Sequence, residues 1–282
     1  MPGTLYLCAT PIGNLEDITL RVLRTLREVN LIAAEDTRHS LRLLNRFEIR
    51  TPLISYHEHN KRTRGLELVS RLETGENIAY ISDAGMPGIS DPGEELVRLC
   101  LEHAIPVTVC PGACACVTAL VLSGLEARRF VFEGFLPAEK KQRAEVFARL
   151  KNETRTIVIY EAPHKLLATL NDLLAGLGDR KTAAIKELTK KYETVLEKPL
   201  SELTNFYSEN EPRGEFVLVV SGADTDGLKA EKQQAWFEMK IEDHVGMYTS
   251  LGLSEMDAIK AAAKDRGVPK REVYAQFKRI SG

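Results

Sequence analysis

Long apolar runs are missing from this 282-residue sequence; none approaches the ~20 residues a membrane helix needs, so no segment is expected to span a bilayer. Cysteine is sparse and spaced wrongly for metal or disulfide chemistry. The five cysteines, Cys8, Cys100, Cys110, Cys114 and Cys116, lie in apolar surroundings, and Cys114 and Cys116 are separated by one residue. That spacing is not the C-x₂-C of zinc knuckles or thioredoxin-like sites, and an odd number implies no disulfide scaffold. They read as small buried hydrophobes. Neither G-x-G-x-x-G nor a P-loop occurs, which argues against a dinucleotide or nucleoside triphosphate site. An excess of one charge is lacking too: the net charge of −2 is not the global basic signature of many nucleic-acid binders. His57-Glu58-His59 comes nearest to a metal cluster, but two histidines at i, i+2 on a strand end read as polar surface, and no metal is expected. Met1-Pro2-Gly3-Thr4 leads directly into a strand-like run with no basic n-region or cleavage motif, so a cytoplasmic location is expected.

What is present is ordinary for a globular chain of roughly two domains, with 44% apolar and 28% charged residues. In the first half, short apolar runs at 4–9, 31–34, 53–56, 78–81 and 107–110 alternate with helical periodicity at 18–29, 38–46, 61–73 and 94–103. That rhythm predicts a parallel sheet covered on both faces. The pattern breaks at 124–129. Strand-like runs then follow at 130–135, 156–161, 182–188, 193–196 and 215–220, with a charged helix at 138–150. Strands outnumber crossover helices here, so a mixed sheet is expected. Beyond Asp224 the chain turns helical. A long polar helix is expected over 228–247, a second helix over 253–264 with Ser254 as N-cap, a turn at Gly267-Val268-Pro269, and a third helix over 270–280. The last two read as a helix-turn-helix. The expected organisation is two α/β domains, 1–125 and 126–225, and a helical extension, 226–282.

Open parallel sheets bind ligands in loops at the carboxyl ends of their strands. The loop Ser82-Asp83-Ala84-Gly85-Met86-Pro87-Gly88-Ile89-Ser90-Asp91-Pro92-Gly93 holds three glycines and two prolines in twelve residues. A plain turn needs fewer special residues, and this backbone suits close approach of a ligand. Pro111-Gly112-Ala113-Cys114-Ala115 opens a helix with small side chains and free amides.

These two segments, with Pro11-Ile12-Gly13-Asn14-Leu15-Glu16-Asp17-Ile18-Thr19 and Ala34-Glu35-Asp36-Thr37-Arg38, resemble in content and order the tetrapyrrole methylase superfamily, in particular its ribosomal-RNA-modifying branch. Glu133–Pro137, Tyr160–Lys165, Lys186–Lys190 and Arg213–Val217 extend the resemblance to about residue 220; the last 50 residues match in character more than in letter. The resemblance implies S-adenosyl-L-methionine held in a cleft between two α/β domains, a homodimer, and methylation of a cytidine ribose 2′-hydroxyl in the decoding region of 16S rRNA, with the assembled small subunit as the expected substrate. It places the donor against Asp83, Ala84, Gly85 and Met86, beside Ala113, Cys114 and Ala115 and the Pro11–Gly13 loop. Glu161, Lys186, Glu187 and Glu215 would close the site from the second domain.

Such a reaction needs alignment of oxygen, methyl carbon and sulfur. A group that removes or orients the hydroxyl proton adds typically 10²–10⁴-fold. Asp36 and Glu187 are the expected proton-handling groups, with Lys186 setting the local field; a salt-bridge network that merely shapes the cleft is the alternative. For RNA, Arg38, Arg42 and Arg46 share a helical face, Lys61, Arg62 and Arg64 follow the histidine loop, and Lys270 and Arg271 lie in the C-terminal helix. From Lys260 onward seven Lys/Arg stand against two acidic residues, a local +5 that suits a polyanion, although a solvated helix face gives the same count. Two other functions fit the same sequence: a corrin or porphyrin C-methyltransferase, and a non-catalytic RNA-binding assembly factor.

Overall fold

The computed structural model describes residues 1–281. Its first sheet contains β1 (Leu5–Cys8), β2 (Leu31–Ala34), β3 (Leu53–Ser55), β4 (Ile78–Ile81) and β5 (Val107–Cys110), in the order β3-β2-β4-β1-β5 and all parallel. The helices between them are α1 (Leu20–Glu28), α2 (Thr37–Arg46), α3 (Lys61–Glu73) and α4 (Gly93–Glu102), and α5 (Ala115–Leu122) follows β5. Strand alternation sends successive side chains to opposite faces. Leu5, Leu31, Ala33, Ile78 and Tyr80 pack with Leu68 and Leu72 of α3 and Leu96 of α4. Cys8, Ile32, Ala34, Ala79 and Ile81 pack with Val22 and Leu26 of α1 and Leu44 of α2. Both faces are therefore covered, as the near-continuous apolar strands require.

The second sheet contains β6 (Phe130–Phe135), β7 (Thr156–Glu161), β8 (Lys181–Lys186), β9 (Thr194–Pro199) and β10 (Phe216–Val220). Its order is β6-β7-β10-β8-β9; β6 and β7 are parallel and every other pair is antiparallel, the expected mixed sheet. One face packs on α6 (Lys140–Leu150), α7 (Pro163–Leu177) and α8 (Leu200–Glu209). The other face, with Val158, Ala183, Ile185, Val217 and Val219, is covered by Cys116, Ala119 and Leu120 of α5. Helices α7 and α8 add to the sequence reading. Leu166, Leu170, Leu173 and Leu177 mark α7 at helical spacing, and Pro163 opens it at a position where a missing N–H costs nothing.

The described residues fall into two compact units, 1–150 with 155–221, and 151–154 with 222–281. The second unit holds α9 (Thr225–Glu238), α10 (Ile241–Ser250), α11 (Glu255–Arg266) and α12 (Lys270–Ser281). The single helix expected over 228–247 is two, because Met239 and Lys240 are extended, with ψ of 139° and 145°. Arg266 donates to the Met239 carbonyl that this break frees. Ser254 caps α11 by accepting from Asp257 N at 3.2 Å, and Gly267 ends it in the left-handed region at φ 64°, the two boundaries the sequence marked.

This helical unit encloses a polar cluster. His244, fully buried, stacks on Trp236 with ring centroids 4.2 Å apart. Arg266 Nε donates to its Nδ1 at 3.1 Å, and its Nε2 lies 3.3 Å from Asp265 Oδ2. A guanidinium only donates, so Nδ1 is the bare nitrogen and the ring is neutral. Burial holds the His244 pKa below its ordinary 6.5, Arg266 adds to the effect, and Asp265 opposes it. The unfolded chain therefore takes up a proton, as pH falls below about 6.5, that the folded unit refuses. Stability is complete above that pH and declines as pH falls through the depressed folded value. Thermal unfolding followed by fluorescence of Trp236, the only tryptophan in the chain, is expected to show a midpoint that is level from pH 8 to about 6.5 and falls below it. His244→Gln should flatten that slope; a wild-type midpoint indifferent to pH would contradict the assignment.

Candidate active site

The loops after β1, β2 and β4 meet at the carboxyl ends of the parallel strands. Thr10 and Gly85 exchange both backbone hydrogen bonds, at 2.9 and 3.1 Å, which ties the loop after β1 to the 82–93 loop. Gly85 has φ 83°, and a Cβ there would approach Ile12 Cγ2 to 3.0 Å. The loops after β2 and β4 are joined reciprocally: Asp36 N donates to Asp83 Oδ1 at 2.9 Å, and Asp83 N donates to Glu35 Oε2 at 3.3 Å.

One carboxylate folds the rest of the 82–93 loop. Asp91 Oδ1 accepts from Tyr80 Oη at 3.0 Å and Gly93 N at 2.8 Å; Oδ2 accepts from Gly88 N at 2.8 Å and Ile89 N at 3.1 Å. Around it Gly88 and the non-glycine Ser90 both take positive φ, 84° and 67°. A second unusual turn, Glu187–Lys190, has Glu187 at φ 53° and Thr189 at φ 66°. Such conformations persist where surrounding contacts over-determine them. Here Glu187 Oε1 accepts from both Lys190 Nζ and Glu215 N, each at 3.0 Å. Gly13 packs on this turn so closely that a Cβ would lie 2.5 Å from Lys190 Cγ. At the start of α5, Cys116 N donates to Tyr160 Oη at 2.9 Å, so a phenol from the second sheet takes one of the helix's free amides.

Two adjoining cavities result. The larger, about 490 Å³, is lined by Ile12, Glu35, the Ser82–Met86 segment, Ile89, Ser90, Asp91, Cys114 and Ala115, and by Phe135, Tyr160–Pro163, Leu188 and Glu215–Val217. Among the described residues its lining carries five carboxyl groups (Glu35, Asp83, Asp91, Glu161 and Glu215) and no Lys, Arg or His. Desolvation raises the Glu35 pKa above its ordinary 4.5, and the neighbouring charges of Asp83, Asp91 and Asp36 add to this against the Asp83 N–H bond. The smaller cavity, about 310 Å³, shares Ile12, Ser82, Asp83, Ala84 and Glu215 with it, and is lined on its far side by α2 and the loop after β1. Its lining includes His39, Arg42, Arg46 and Lys190.

The family model for tetrapyrrole (corrin/porphyrin) methylases matches residues 4–204, which contain every strand of both sheets except β10. The chain belongs to that family. A protein of Halalkalibacterium halodurans named ribosomal RNA small subunit methyltransferase I is 50% identical over 273 residues, 96% of this chain and 93% of its own length. The Bacillus subtilis protein of the same name is 47% identical over 98% of this chain and 94% of its own. Among solved structures, uroporphyrin-III C-methyltransferase from Thermus thermophilus, complexed with S-adenyl homocysteine, aligns with TM-score 0.54 and 21% identity. It covers 78% of this chain and 97% of that one, a likeness of fold.

In this tetrapyrrole methylase, Asp83, Ala84, Gly85, Met86, Cys114, Ala115, Glu161 and Glu215 line the larger cavity. Pro11 and Gly13 line the smaller one, and Ala113 lines neither. Glu161 is also committed structurally: it accepts from Ala162 N at 2.8 Å and from Thr169 Oγ1 in the middle of α7. Asp36, Lys186 and Glu187 lie outside the lining of both cavities. Arg38 holds the Asp36 carboxyl down to about 2, chiefly by side-chain hydrogen bonds. Glu187 clamps the start of β10, and its pKa is lowered by Lys190 and Glu215 N against desolvation. Of the cations, Arg38 pairs with Asp36, Lys61 with Glu58 and Glu95, and Arg64 with Glu67. Arg42, Arg62, Lys270 and Arg271 are exposed, and among the described residues no ion pair is found for them. Among the described residues no cluster of His, Cys, Asp or Glu suits a metal. No helix there is long and apolar enough to cross a membrane.

Phe135, Tyr160, Leu188, Phe216 and Val217 are wall residues that sequence reasoning missed. Apolar residues at strand ends look like core. The available signal was their position in the motif blocks Glu133–Pro137, Tyr160–Lys165, Lys186–Lys190 and Arg213–Val217, which are too polar at the flanks for plain strands.

Proposed function

We propose that this chain transfers the methyl group of S-adenosyl-L-methionine to the ribose 2′-hydroxyl of a cytidine in the decoding region of 16S rRNA, acting as a cytoplasmic homodimer on the small ribosomal subunit. The observation that carries the donor assignment is the acidic larger cavity. The donor, when bound, supplies a methyl group on a sulfonium with a good leaving group, and it carries an ammonium as well. Carboxyl groups in a partly desolvated cavity favour cations of that kind. Phe135 and Tyr160 offer flat apolar faces for an adenine, and the amides at the start of α5 other than Cys116 N offer donors for a carboxylate. The relatives named for small-subunit rRNA supply the acceptor, since they match along nearly the whole chain, helical unit included.

In this reading the chain's own residues contribute chiefly by positioning. Asp91 fixes the loop against which the donor rests. Asp36, Lys186 and Glu187 hold the strand ends around the reacting centre, and any proton transfer falls to a neighbour inside the cavities. Arg42, Arg62, Lys270 and Arg271 have no ion pair among the described residues and can meet phosphate directly; Arg38, Lys61 and Arg64 must first leave a carboxylate.

The test is methyl transfer from labelled S-adenosyl-L-methionine to small subunits from unmodified cells, to naked 16S rRNA and to a reduced porphyrin precursor. Label on the subunit as an alkali-resistant 2′-O-methyl nucleotide is the expected result. Label on the porphyrin alone would assign the other acceptor of this family, and donor binding without transfer would favour an assembly factor.

A further inference from the structure

The smaller cavity differs in charge from the larger although the two share a wall. Along α2, Arg42 and Arg46 line it one turn apart, about 6 Å along the axis. Both are exposed, and among the described residues no ion pair is found for either. Ser40, earlier on the same helix and 2% exposed, also lines the cavity. Its hydroxyl has no hydrogen-bond partner. A buried serine in a helix ordinarily returns its proton to a carbonyl one turn earlier. An unpaired buried hydroxyl is costly and rare, and calls for an explanation.

We propose that this cavity is the acceptor subsite and takes a single nucleotide of an RNA strand. Ser40 Oγ would bond to the nucleoside, Arg42 and Arg46 would hold its flanking phosphates, and the ribose would point across Asp83 and Ala84 towards the larger cavity. The inference rests on the methyl-donor reading for its chemistry, but not for its binding. Three observations favour a nucleotide over a macrocycle. The volume of about 310 Å³ is at the low end of ligand pockets, about 300–1,000 Å³, and suits one nucleoside. The two cations with no ion pair among the described residues, Arg42 and Arg46, lie along one helix; Lys190, across the cavity, is already held by Glu187 and Glu215. The shared wall puts an occupant of this cavity next to an occupant of the other, as group transfer between them requires. An enzyme acting on one nucleotide commonly draws it out of its stack into a fitted pocket.

The test uses the full-length protein and two variants, Ser40→Ala and the double change Arg42→Ala/Arg46→Ala. Three quantities are read: donor affinity by calorimetry, affinity for small subunits against salt concentration, and KM and kcat for transfer. For the double variant the slope of log affinity against log salt should fall by about 2, one for each lost phosphate contact, with donor affinity within twofold of wild type. Ser40→Ala should lose up to about tenfold in acceptor affinity or turnover, the worth of one hydrogen bond, with the salt slope unchanged. An unchanged salt slope in the double variant overturns the proposal, as does full activity in Ser40→Ala. Loss of porphyrin methylation alone would assign the cavity to a macrocycle and overturn it too. If wild type binds subunits with the expected slopes and transfers nothing, the subsite stands and the methylation reading falls.

Discussion

Asp91→Ala is expected to abolish donor binding and to destabilise the two-sheet unit by about 3 kcal/mol. Four donors lose their acceptor at once: the Tyr80 hydroxyl and the amides of Gly88, Ile89 and Gly93. Tyr80 is fully buried, so its hydroxyl has no water to turn to. A buried donor left unpaired costs roughly 1–3 kcal/mol, and partial rescue by water at the more exposed amides keeps the sum near the upper end of that range. The loop it holds includes Gly88 and Ser90 at positive φ, which nothing else in the loop fixes as directly. Denaturant unfolding and donor titration together check the prediction. Asp91→Asn, which keeps one acceptor oxygen, should fall between the two; a donor affinity in Asp91→Ala equal to wild type would show that the loop does not carry the site.

Glu35→Gln should weaken donor binding about tenfold at neutral pH while raising thermal stability, two effects with one origin. Desolvation, with the charges of Asp83, Asp91 and Asp36, raises the Glu35 pKa, so the folded protein carries an unfavourable negative charge once pH exceeds that value. Glutamine removes the charge and retains an oxygen for the Asp83 amide. The stability gain is expected to be full at neutral pH. It should shrink as pH falls through the raised pKa, where the wild-type carboxyl takes up its proton on its own. Donor affinity of the wild type should decline through the same interval, because the neutral acid no longer attracts a cation; a tenfold change corresponds to about 1.4 kcal/mol, the scale of one charge-assisted hydrogen bond. Equal affinities of the two proteins at pH 7.5 would remove Glu35 from the donor's surroundings.

The parallel sheet was legible because its strands are buried on both faces and read as unbroken apolar runs between helical stretches. The second sheet was legible as a mixed sheet, but α7 and α8 were hidden behind the strand count, although Leu166, Leu170, Leu173 and Leu177 already carried the helical period. The long helix over 228–247 has no proline or glycine before Gly246 to warn of its break. Tertiary partners make the break, through Arg266 from α11. For the site, glycine-rich composition pointed to the correct loop because positive φ leaves a residue-type signature. It could not separate Glu35 from Asp36. The two are adjacent in the chain, but one carboxyl lines the cavity and the other turns to Arg38. Ser40 was invisible for a different reason: an unpaired hydroxyl is a property of surroundings, not of sequence.

Helix α5 follows the last strand of the first sheet, yet Cys116, Ala119 and Leu120 cover the second sheet, and Cys116 N is held by Tyr160. The covalent halves of the two-sheet unit are thus not its mechanical halves. A chimera joined at residue 125 would carry α5 from one parent onto Val158, Ile185 and Val217 of another, and would inherit a mismatched core however well each sheet folded. Exchange between relatives is compatible with the packing only where the crossover lies before residue 115, so that the helix travels with the strands it covers. The heritable module on the second side of the site begins ten residues before the apparent seam.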